Sequence, residues 1–245
     1  MDAVILAAGS GTRLNQGRPK CLVEIGGRPL IHHQIDALRS AGVESIIVVA
    51  GYQAADVCHA LPDGTRVVLN ERYAETNSLY SFMLTRPDVG DEVLVLNADV
   101  LFHPVIPRIL VRWNGSVLAY DSGSGADEEH MKVEIRSGAL TSMSKQLPAE
   151  RTAGENVGMI RLSGEAVTAT FEAGETILAA GHERDWLASA IDIAAVGHRL
   201  QCLDVRGLPW TEIDFPEDLA HARSRILPAI NATATEKPLR LIRAA

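Results

Sequence analysis

Short apolar runs rich in β-branched residues recur through the first part of the chain, and segments with helical spacing separate several of them. The apolar runs are residues 4–8, 45–50, 66–69, 93–97 and 116–120. The helical segments are residues 29–40 and 77–85. Because strands that alternate with helices form sheets covered on both faces, this pattern predicts a mostly parallel central sheet flanked by helices.

The pattern changes after residue 120. Residues 121–129 form an acidic stretch rich in glycine and serine. The two runs that follow, 131–135 and 157–162, alternate between apolar and polar positions. Such alternation is typical of strands with one exposed face, so it predicts an antiparallel or mixed continuation of the sheet.

Two further helices are predicted near the C-terminus, at residues 183–195 and 216–227. The second begins with a proline and two acidic residues, which favour a helix start. Residues 228–245 are rich in small residues and end with basic ones, as is typical of a frayed tail or a linker. We therefore predict one domain over residues 1–227, followed by a tail or linker.

Composition restricts the function classes. Of the 245 residues, 47% are apolar and 22% are charged, which is ordinary for a globular chain. The sequence has no apolar run of about 18 residues and no signal peptide pattern, so we expect a cytoplasmic protein that does not bind membranes. The net charge of −8 argues against nucleic acid as a partner. The three cysteines are widely spaced, which predicts neither disulfides nor a metal site.

The stretch GSGTRLNQGRPKCL, at residues 9–22, follows the first predicted strand directly. It is not a Walker A loop, which requires Gly-Lys-Ser/Thr, nor a dinucleotide loop, because Leu14 and Pro19 break that pattern. Two interpretations remain for it. It is either a glycine turn with solvated basic residues or a loop whose N–H groups face phosphate oxygens, with Arg13 and Lys20 adding charge.

Two aspartates lie at predicted strand ends. Asp99 follows the run at 93–97, and Asp214 precedes the helix at 216–227. Carboxylates at such ends converge on the crevice where open α/β sheets bind ligands. Mg²⁺ is usually held by one or two carboxylates together with substrate phosphates. The alternative for either aspartate is a turn or helix-cap residue.

The string LAAGSGTRL followed by PK resembles the signature of the nucleotidyltransferases that condense an NTP with a phosphorylated acceptor and release pyrophosphate. Within this superfamily the chain is similar to the phosphocholine and phosphonate cytidylyltransferase branch, which includes inositol-phosphate enzymes. The further matches are VAGY at 49–52, ERYAETNSLYS at 71–81, NADVLF at 97–102, MKV at 131–133, GENVG at 154–158 and WTEIDFPEDL at 210–219. The short spacer at residues 15–18 is similar to the inositol-phosphate type.

This resemblance implies a single Rossmann-like nucleotidyltransferase domain of the GT-A-like type, with a mixed, mostly parallel central sheet flanked by helices. It implies Mg²⁺ as the cofactor, held by Asp99 and Asp214, with Glu212 as a weaker candidate ligand. As catalytic residues, we assign Lys20 to the α-phosphate and the attacking oxygen, and Arg13 to the β- and γ-phosphates.

The other predicted nucleotide contacts fall into two groups. Base recognition is assigned to Tyr52, Thr76, Asn77 and Ser78, whose polar groups can meet the edge of a pyrimidine. In a competing interpretation, Thr76 or Asn77 only caps the following helix. The contacts at the strand ends are Leu6, Ala7, Ala8, Gly9, Ser10, Gly11, Thr12 and Ala98.

The predicted acceptor contacts are Lys132, Asp121, Glu155 and Trp210. Lys132 is preferred to Lys145 because it lies in the matching MKV. No aromatic residue lies between residues 121 and 155, so this region supplies no cage for a choline headgroup. An aminoalkyl- or hydroxyalkylphosphonate acceptor is therefore an open alternative to phosphocholine.

Together these features predict a Mg²⁺-dependent cytidylyltransferase that condenses CTP with a small phosphorylated or phosphonylated alcohol or amine. The products are a CMP-activated compound and pyrophosphate. One alternative is a sugar-1-phosphate nucleotidyltransferase, against which ETNSLYS and the short loop argue. Another is a nucleotide-sensing domain without turnover, against which the intact set of Arg13, Lys20, Asp99 and Asp214 argues.

Overall fold

A computed structural model describes residues 1–14, 16–124 and 129–233. Its strands are β1 Asp2–Ala7, β2 Glu24–Ile25, β3 Arg28–Pro29, β4 Ser45–Ala50, β5 Arg66–Leu69, β6 Glu92–Asn97, β7 Val100–Phe102, β8 Ser116–Asp121, β9 Lys132–Arg136, β10 Ala139–Ser144, β11 Gly154–Ser163, β12 Leu200–Asp204 and β13 Trp210–Glu212. Its helices are α1 Leu30–Ser40, α2 Ala54–Ala60, α3 Ser78–Met83, α4 Val105–Arg112, α5 Glu165–Ala179, α6 Leu187–Gly197, α7 Pro216–His221 and α8 Leu227–Thr233. Short 3₁₀ turns occupy Thr12–Leu14, Lys20–Leu22 and Ala149–Arg151.

Within the described ranges, the central sheet has nine strands in the order β5-β4-β1-β6-β11-β8-β12-β10-β9. Strands β5, β4, β1 and β6 are mutually parallel, and β8 is parallel to β12. Strand β11 is antiparallel to β6, β8 and β9, and β10 is antiparallel to β9 and β12. The predicted mixed sheet flanked by helices is confirmed, with its longest parallel stretch in the N-terminal half.

Both faces of β1 are buried, which explains its continuous apolar sequence. Ile5 and its neighbours two positions away pack into one core with side chains of α1 and α4. Val4 and Ala8 face the opposite core, which contains side chains of α3, α5 and α6. Helices cover both faces of β1, so this strand lies in the interior. The chain reaches the surface only after the C-terminal end of β1, where the glycine-rich loop begins.

The helix predictions differ from the structure mainly at their boundaries. Helix α1 begins one residue after its predicted start, and α3 ends two residues earlier than predicted. Helix α6 begins at Leu187 instead of residue 183, because Trp186 has an extended backbone with ψ near 155°. The sequence prediction named no helix at α2, α4 or α5, and the threonines and central glycine of α5 give a weak helical signal. Gly174 packs closely against α3, and a Cβ at this position would displace the side chain of Met83.

The folded chain extends past the predicted domain end at residue 227. A π-helical turn at Ala222–Ile226 connects α7 to α8, and Ile230 of α8 is buried with Leu14, Leu30 and Ile213. Because this packing fixes α8 against the domain, the structured region reaches Thr233. The rest of the predicted tail, residues 234–245, lies outside the described residues.

Among the described residues, none of the helices combines the length and the apolar composition needed to span a membrane.

Candidate active site

A cavity of about 480 Å³ lies at the carboxyl ends of the parallel strands. The end of β1 contributes Leu6 to Ala8, and the turn after β6 contributes Ala98 and Asp99. In open α/β sheets, ligands bind in the crevice outside the carboxyl ends of the strands. The position of the cavity therefore agrees with the location inferred from the sequence.

The glycine-rich loop brings Lys20 into the wall of this cavity. Gly11 has a positive φ of +59°, which glycine adopts without strain. A Cβ on Gly11 would lie 2.6 Å from Lys20 Cγ, so the lysine side chain runs across the bare glycine backbone. Pro19 ends the loop and precedes the short turn that begins at Lys20. The loop thus positions the lysine by close backbone contact.

Three carboxylates converge beside Lys20. One oxygen from each of Asp99, Glu212 and Asp214 lies within 4.8 Å of the others. Antiparallel pairing of β13 with β7 aligns Glu212 with Val100, and the N–H of Ile213 donates to the C=O of Asp99 at 2.9 Å. This small sheet joins segments that are far apart in sequence, so it creates the cluster.

The basic side chains of the loop pair with these carboxylates. Lys20 Nζ lies 3.2 Å from Asp99 Oδ2 and also donates to Asp214, and Arg13 Nη2 lies 2.6 Å from Asp214 Oδ2. Burial lowers the pKa of Lys20, but the charges of Asp99 and Asp214 outweigh it, so the pKa is raised above the ordinary lysine value. Lys20 is therefore a fully charged ammonium at neutral pH.

The carboxylate cluster has the properties expected of a site for a hard divalent cation. Its donor atoms are all carboxylate oxygens, which Mg²⁺ prefers. Asp99 Oδ1 is buried and has no hydrogen-bond partner within the described ranges. Burial and the charges of Asp99 and Asp214 raise the pKa of Glu212 to about 8. The free oxygen of Asp99 is an open ligand position, and a bound cation would offset the repulsion that disfavours ionisation of Glu212.

Gln34 of α1 supports the turn that carries Asp99. Its side-chain amide is 1% exposed and donates to the C=O of Asn97 at 2.9 Å and of Val100 at 2.8 Å. These carbonyls flank Asp99 on both sides. Gln34 therefore connects the position of this carboxylate to the packing of α1.

We expect Gln34→Leu to lower the free energy of unfolding by about 1–3 kcal/mol, because it removes the side-chain donor that two backbone carbonyls share. It should also weaken Mn²⁺ binding by about 10- to 100-fold, since Asp99 loses its support. Denaturant unfolding and Mn²⁺ titration by electron paramagnetic resonance measure these effects. The exposed substitution Gln146→Leu is the control. An unchanged Mn²⁺ affinity in a folded Gln34→Leu protein would contradict a role in positioning Asp99.

Most predicted nucleotide contacts line the cavity. They are Leu6, Ala7, Ala8, Gly9, Gly11, Arg13, Lys20, Thr76, Asn77, Ser78 and Ala98. Ser10 and Tyr52 are not in the lining, and the side chain of Thr12 lies outside the described part of the chain. Tyr52 accepts a hydrogen bond from Gln53 and contacts Tyr73, which lines the cavity instead. The role of Tyr52 in base recognition thus has no direct support in this geometry.

The predicted acceptor contacts lie near one another but outside the cavity lining; they are Lys132, Asp121, Glu155 and Trp210. Pairing of β11 with β8 and β9 aligns Glu155 with both Asp121 and Lys132. Lys132 Nζ donates to the C=O of Lys145 at 2.7 Å, Trp210 Nε1 donates to Asp121 at 2.9 Å, and Glu155 contacts His130 at 3.2 Å. These pairings connect the antiparallel strands and leave Lys132 buried.

On the side of β10 and α6, the cavity is lined by side chains that the sequence analysis did not choose as acceptor contacts, although it weighed Lys145 against Lys132. Lys145 lines it in place of Lys132, and Trp186, Met131 and Met143 lie beside it. Glu129 Oε2 lies 3.1 Å from Arg13 Nη1 and 3.4 Å from Lys145 Nζ. The other acidic residues predicted in this loop, 127 and 128, lie outside the described residues. Lys145 lines the cavity because of the direction of its side chain, whereas Lys132 binds the backbone of Lys145. The match of MKV to the family does not reveal these directions.

The sequence profile of the MobA-like NTP transferase domain matches residues 3–243. The chain is 32% identical over 237 residues to the bifunctional IPC transferase and DIPP synthase of Rubrobacter xylanophilus, covering 93% of this chain and 52% of that protein. It is 28% identical over 247 residues to the CMP-5′-(3-aminopropyl)phosphonate synthase of Streptomyces rubellomurinus, covering 92% of this chain and 39% of that protein. The chain thus spans about half the length, or less, of these curated relatives.

A solved structure has the same fold. The CTP:phosphocholine cytidylyltransferase LicC of Streptococcus pneumoniae superposes with a TM-score of 0.76 at 22% sequence identity, covering 91% of this chain and 97% of that one. This similarity extends over the central sheet and its helices, and it agrees with the α/β nucleotidyltransferase fold expected from the sequence.

Proposed function

Because this chain belongs to the MobA-like NTP transferase family, we propose that it is a Mg²⁺-dependent cytidylyltransferase. In the proposed reaction, a phosphate or phosphonate oxygen of a small alcohol or amine derivative attacks the α-phosphorus of CTP. The new bond joins this oxygen to the α-phosphorus, and the bond from the α-phosphorus to the bridging oxygen breaks. Pyrophosphate leaves with that bonding electron pair, and the product is the CMP-activated acceptor.

The observation that carries this proposal is the convergence of Lys20 with Asp99 and Asp214 in the wall of the strand-end cavity. A cation beside two carboxylates is the arrangement that phosphoryl transfer needs, since its catalysis depends on positioning and charge neutralisation. A nucleotide-sensing domain without turnover has no need of this combination. The geometry therefore favours an enzyme.

Each basic residue has a specific role in the proposal. Lys20 stabilises the charge that develops on the transferred α-phosphate, and Arg13, with its planar fork of donors, holds the β- and γ-phosphates. Asp99 and Asp214, with Glu212 beside them, would hold Mg²⁺. When bound, this ion supplies positive charge to the triphosphate and orients it for in-line attack.

The proposed reaction requires no general base. The second pKa of a phosphate monoester is about 6, so its attacking oxygen is already ionised near neutral pH. Lys20 and Arg13 instead have to bring two anionic substrates together. Glu129 pairs with both Arg13 and Lys145, so a substrate anion would compete with the Glu129 carboxylate for these two cations. Lys145 is thus the acceptor-phosphate contact that the cavity favours, in place of Lys132.

Pyrophosphate release with each NTP against a panel of acceptors tests the proposed function. We expect release with CTP and at least one of phosphocholine, phosphoethanolamine, 2-aminoethylphosphonate, 2-hydroxyethylphosphonate or inositol phosphate. Reactions without acceptor and with EDTA are the controls. Release only with UTP or dTTP and glucose-1-phosphate would identify a sugar nucleotidyltransferase, and no release with any pair would favour a sensing domain.

A further inference from the structure

A hydrogen-bond network connects the side chains behind one wall of the cavity. Asn70, which follows β5, is 1% exposed, and its amide nitrogen lies 3.1 Å from Thr76 Oγ1 and 3.0 Å from Ser81 Oγ. All three residues line the cavity, together with Asn77. Asn70 is absent from the predicted contacts, and the reaction proposed above assigns it no role. Its burial and its full set of partners indicate a fixed arrangement.

Backbone groups determine the direction of the hydrogen bonds around Asn70. The N–H of Arg72 donates to Asn70 Oδ1 at 3.0 Å, so the amide nitrogen of Asn70 faces the two hydroxyls and donates to both. The C=O of Arg72 accepts from the Thr76 hydroxyl at 2.8 Å. The Thr76 hydroxyl therefore donates its only hydrogen to the backbone and accepts from Asn70 with one lone pair. Its second lone pair remains, so the hydroxyl can act toward a ligand only as an acceptor.

Asn77 differs from Thr76 in that it offers a ligand a hydrogen-bond donor. The N–H of Ser78 donates to Asn77 Oδ1 at 2.8 Å, which identifies the oxygen as the atom directed toward the helix backbone. The amide nitrogen of Asn77, with its two hydrogens, is then the group that can donate to a ligand. Thr76 and Asn77 thus present an acceptor and a donor next to each other in the cavity wall.

This pair of groups matches cytosine and not uracil. Cytosine has an amino group at C4 that donates, next to N3, which accepts. Uracil and thymine have a carbonyl at C4 and an N3–H, so both positions are reversed. We infer that Thr76 accepts from the 4-amino group of CTP, that Asn77 donates to its N3, and that Asn70 is the positioning residue that fixes this polarity. The inference rests on the proposed nucleotidyltransferase function.

Calorimetric binding of CTP, UTP and the CTP analogue that lacks the 4-amino group tests the inference without an acceptor. We expect Thr76→Val to weaken CTP binding by about 10-fold, as is typical for loss of one hydrogen bond to a buried polar group. Binding of the analogue should change little, because it has no amino group to lose. Thr76→Ser keeps the hydroxyl and should keep the preference for CTP.

Two further variants complete the experiment. Thr176→Val is the matched control, since Thr176 donates to a carbonyl four residues earlier, at 3.0 Å, as Thr76 does, but lies exposed on α5. Asn70→Ala frees the Thr76 hydroxyl to reorient, so the CTP-to-UTP affinity ratio should fall by about 10-fold. Melting curves of each variant identify those that fold.

The outcomes separate this inference from the proposed function. Equal weakening of CTP, UTP and the analogue by Thr76→Val would overturn the inference, as would a wild-type protein that binds UTP as tightly as CTP. Selective CTP binding without pyrophosphate release from any acceptor would contradict the proposed function and leave the polarity of Thr76 and Asn77 supported.

Discussion

Lys20→Ala is expected to reduce kcat for pyrophosphate release by about 10²–10³-fold, the usual cost of removing one preorganised contact to a transition state. The ammonium lies against Asp99 and Asp214, where the charge on the transferred α-phosphate would develop. Because Lys20 is held across Gly11, its position is set before substrate binds. Initial rates at saturating CTP measure the effect.

Arg18→Ala is the matched control for Lys20→Ala. Arg18 is a cation of the same loop, but its side chain is exposed and does not line the cavity. We expect a rate within about two-fold of wild type, since exposed charges contribute little. Equal losses in the two variants would mean that the loop requires net positive charge and that Lys20 has no specific catalytic role.

The second large effect is expected from the carboxylates. Asp214→Asn should reduce kcat by at least about 10²-fold and raise the Mg²⁺ concentration needed for half-maximal rate, because it removes a charged oxygen ligand. Asp99→Asn should act in the same direction. EDTA should abolish activity, and added Mg²⁺ should restore it. Direct Mn²⁺ titration followed by electron paramagnetic resonance separates metal binding from catalysis.

Glu217→Gln provides the comparison for Asp214→Asn, because Glu217 is an exposed carboxylate in the first turn of α7. It changes the same net charge close to the cluster without touching the cavity. We expect unchanged Mn²⁺ affinity and rate. Normal Mn²⁺ affinity in folded Asp214→Asn protein would contradict the assignment of Asp214 as a metal ligand.

The sequence predicted the strands of the N-terminal half well because burial on both faces leaves a continuous apolar signal. β4 and β5 have the predicted boundaries, and β1 and β6 lie within two residues of them. The prediction failed for α5, where threonine and glycine are poor helix formers and only packing against α3 and α6 selects a helix. Helix α8 lies past the predicted domain end at residue 227, and the burial of its Ile230 depends on partners far away in the chain, which no local pattern indicates.

The candidate site residues also divide into those that a local motif indicates and one that only strand pairing brings to the site. Arg13, Lys20, Asp99 and Asp214 follow strands or lie in loops with recognisable motifs, and the structure brings all four together. Glu212 joins them only through the pairing of β13 with β7. Glu212 is only a weaker candidate in the sequence analysis, because no local pattern distinguishes a metal ligand from an ordinary strand residue.

The sequence analysis preferred Lys132, but it is Lys145 that lines the cavity, and the difference has a simple physical reason. Both lysines belong to the same region, but Lys132 lies in a strand where its ammonium is bound to the backbone of Lys145. Lys145 lies beyond β10 and reaches the cavity, 5.5 Å above the ring of Trp186. Side-chain direction at a strand end depends on register and twist, which follow from cross-strand pairing and not from the local sequence.

By itself, the sequence determined the alternation of strands and helices, the glycine-rich loop with Arg13 and Lys20, and the two aspartates at strand ends, because each is a local property of consecutive residues. Only the tertiary structure decided which distant groups complete the site. Glu212 completes the carboxylate cluster, Gln34 supports Asp99, and Asn70 fixes the polarity of Thr76. These contacts depend on sheet pairing and helix packing, so no local pattern of residues encodes them.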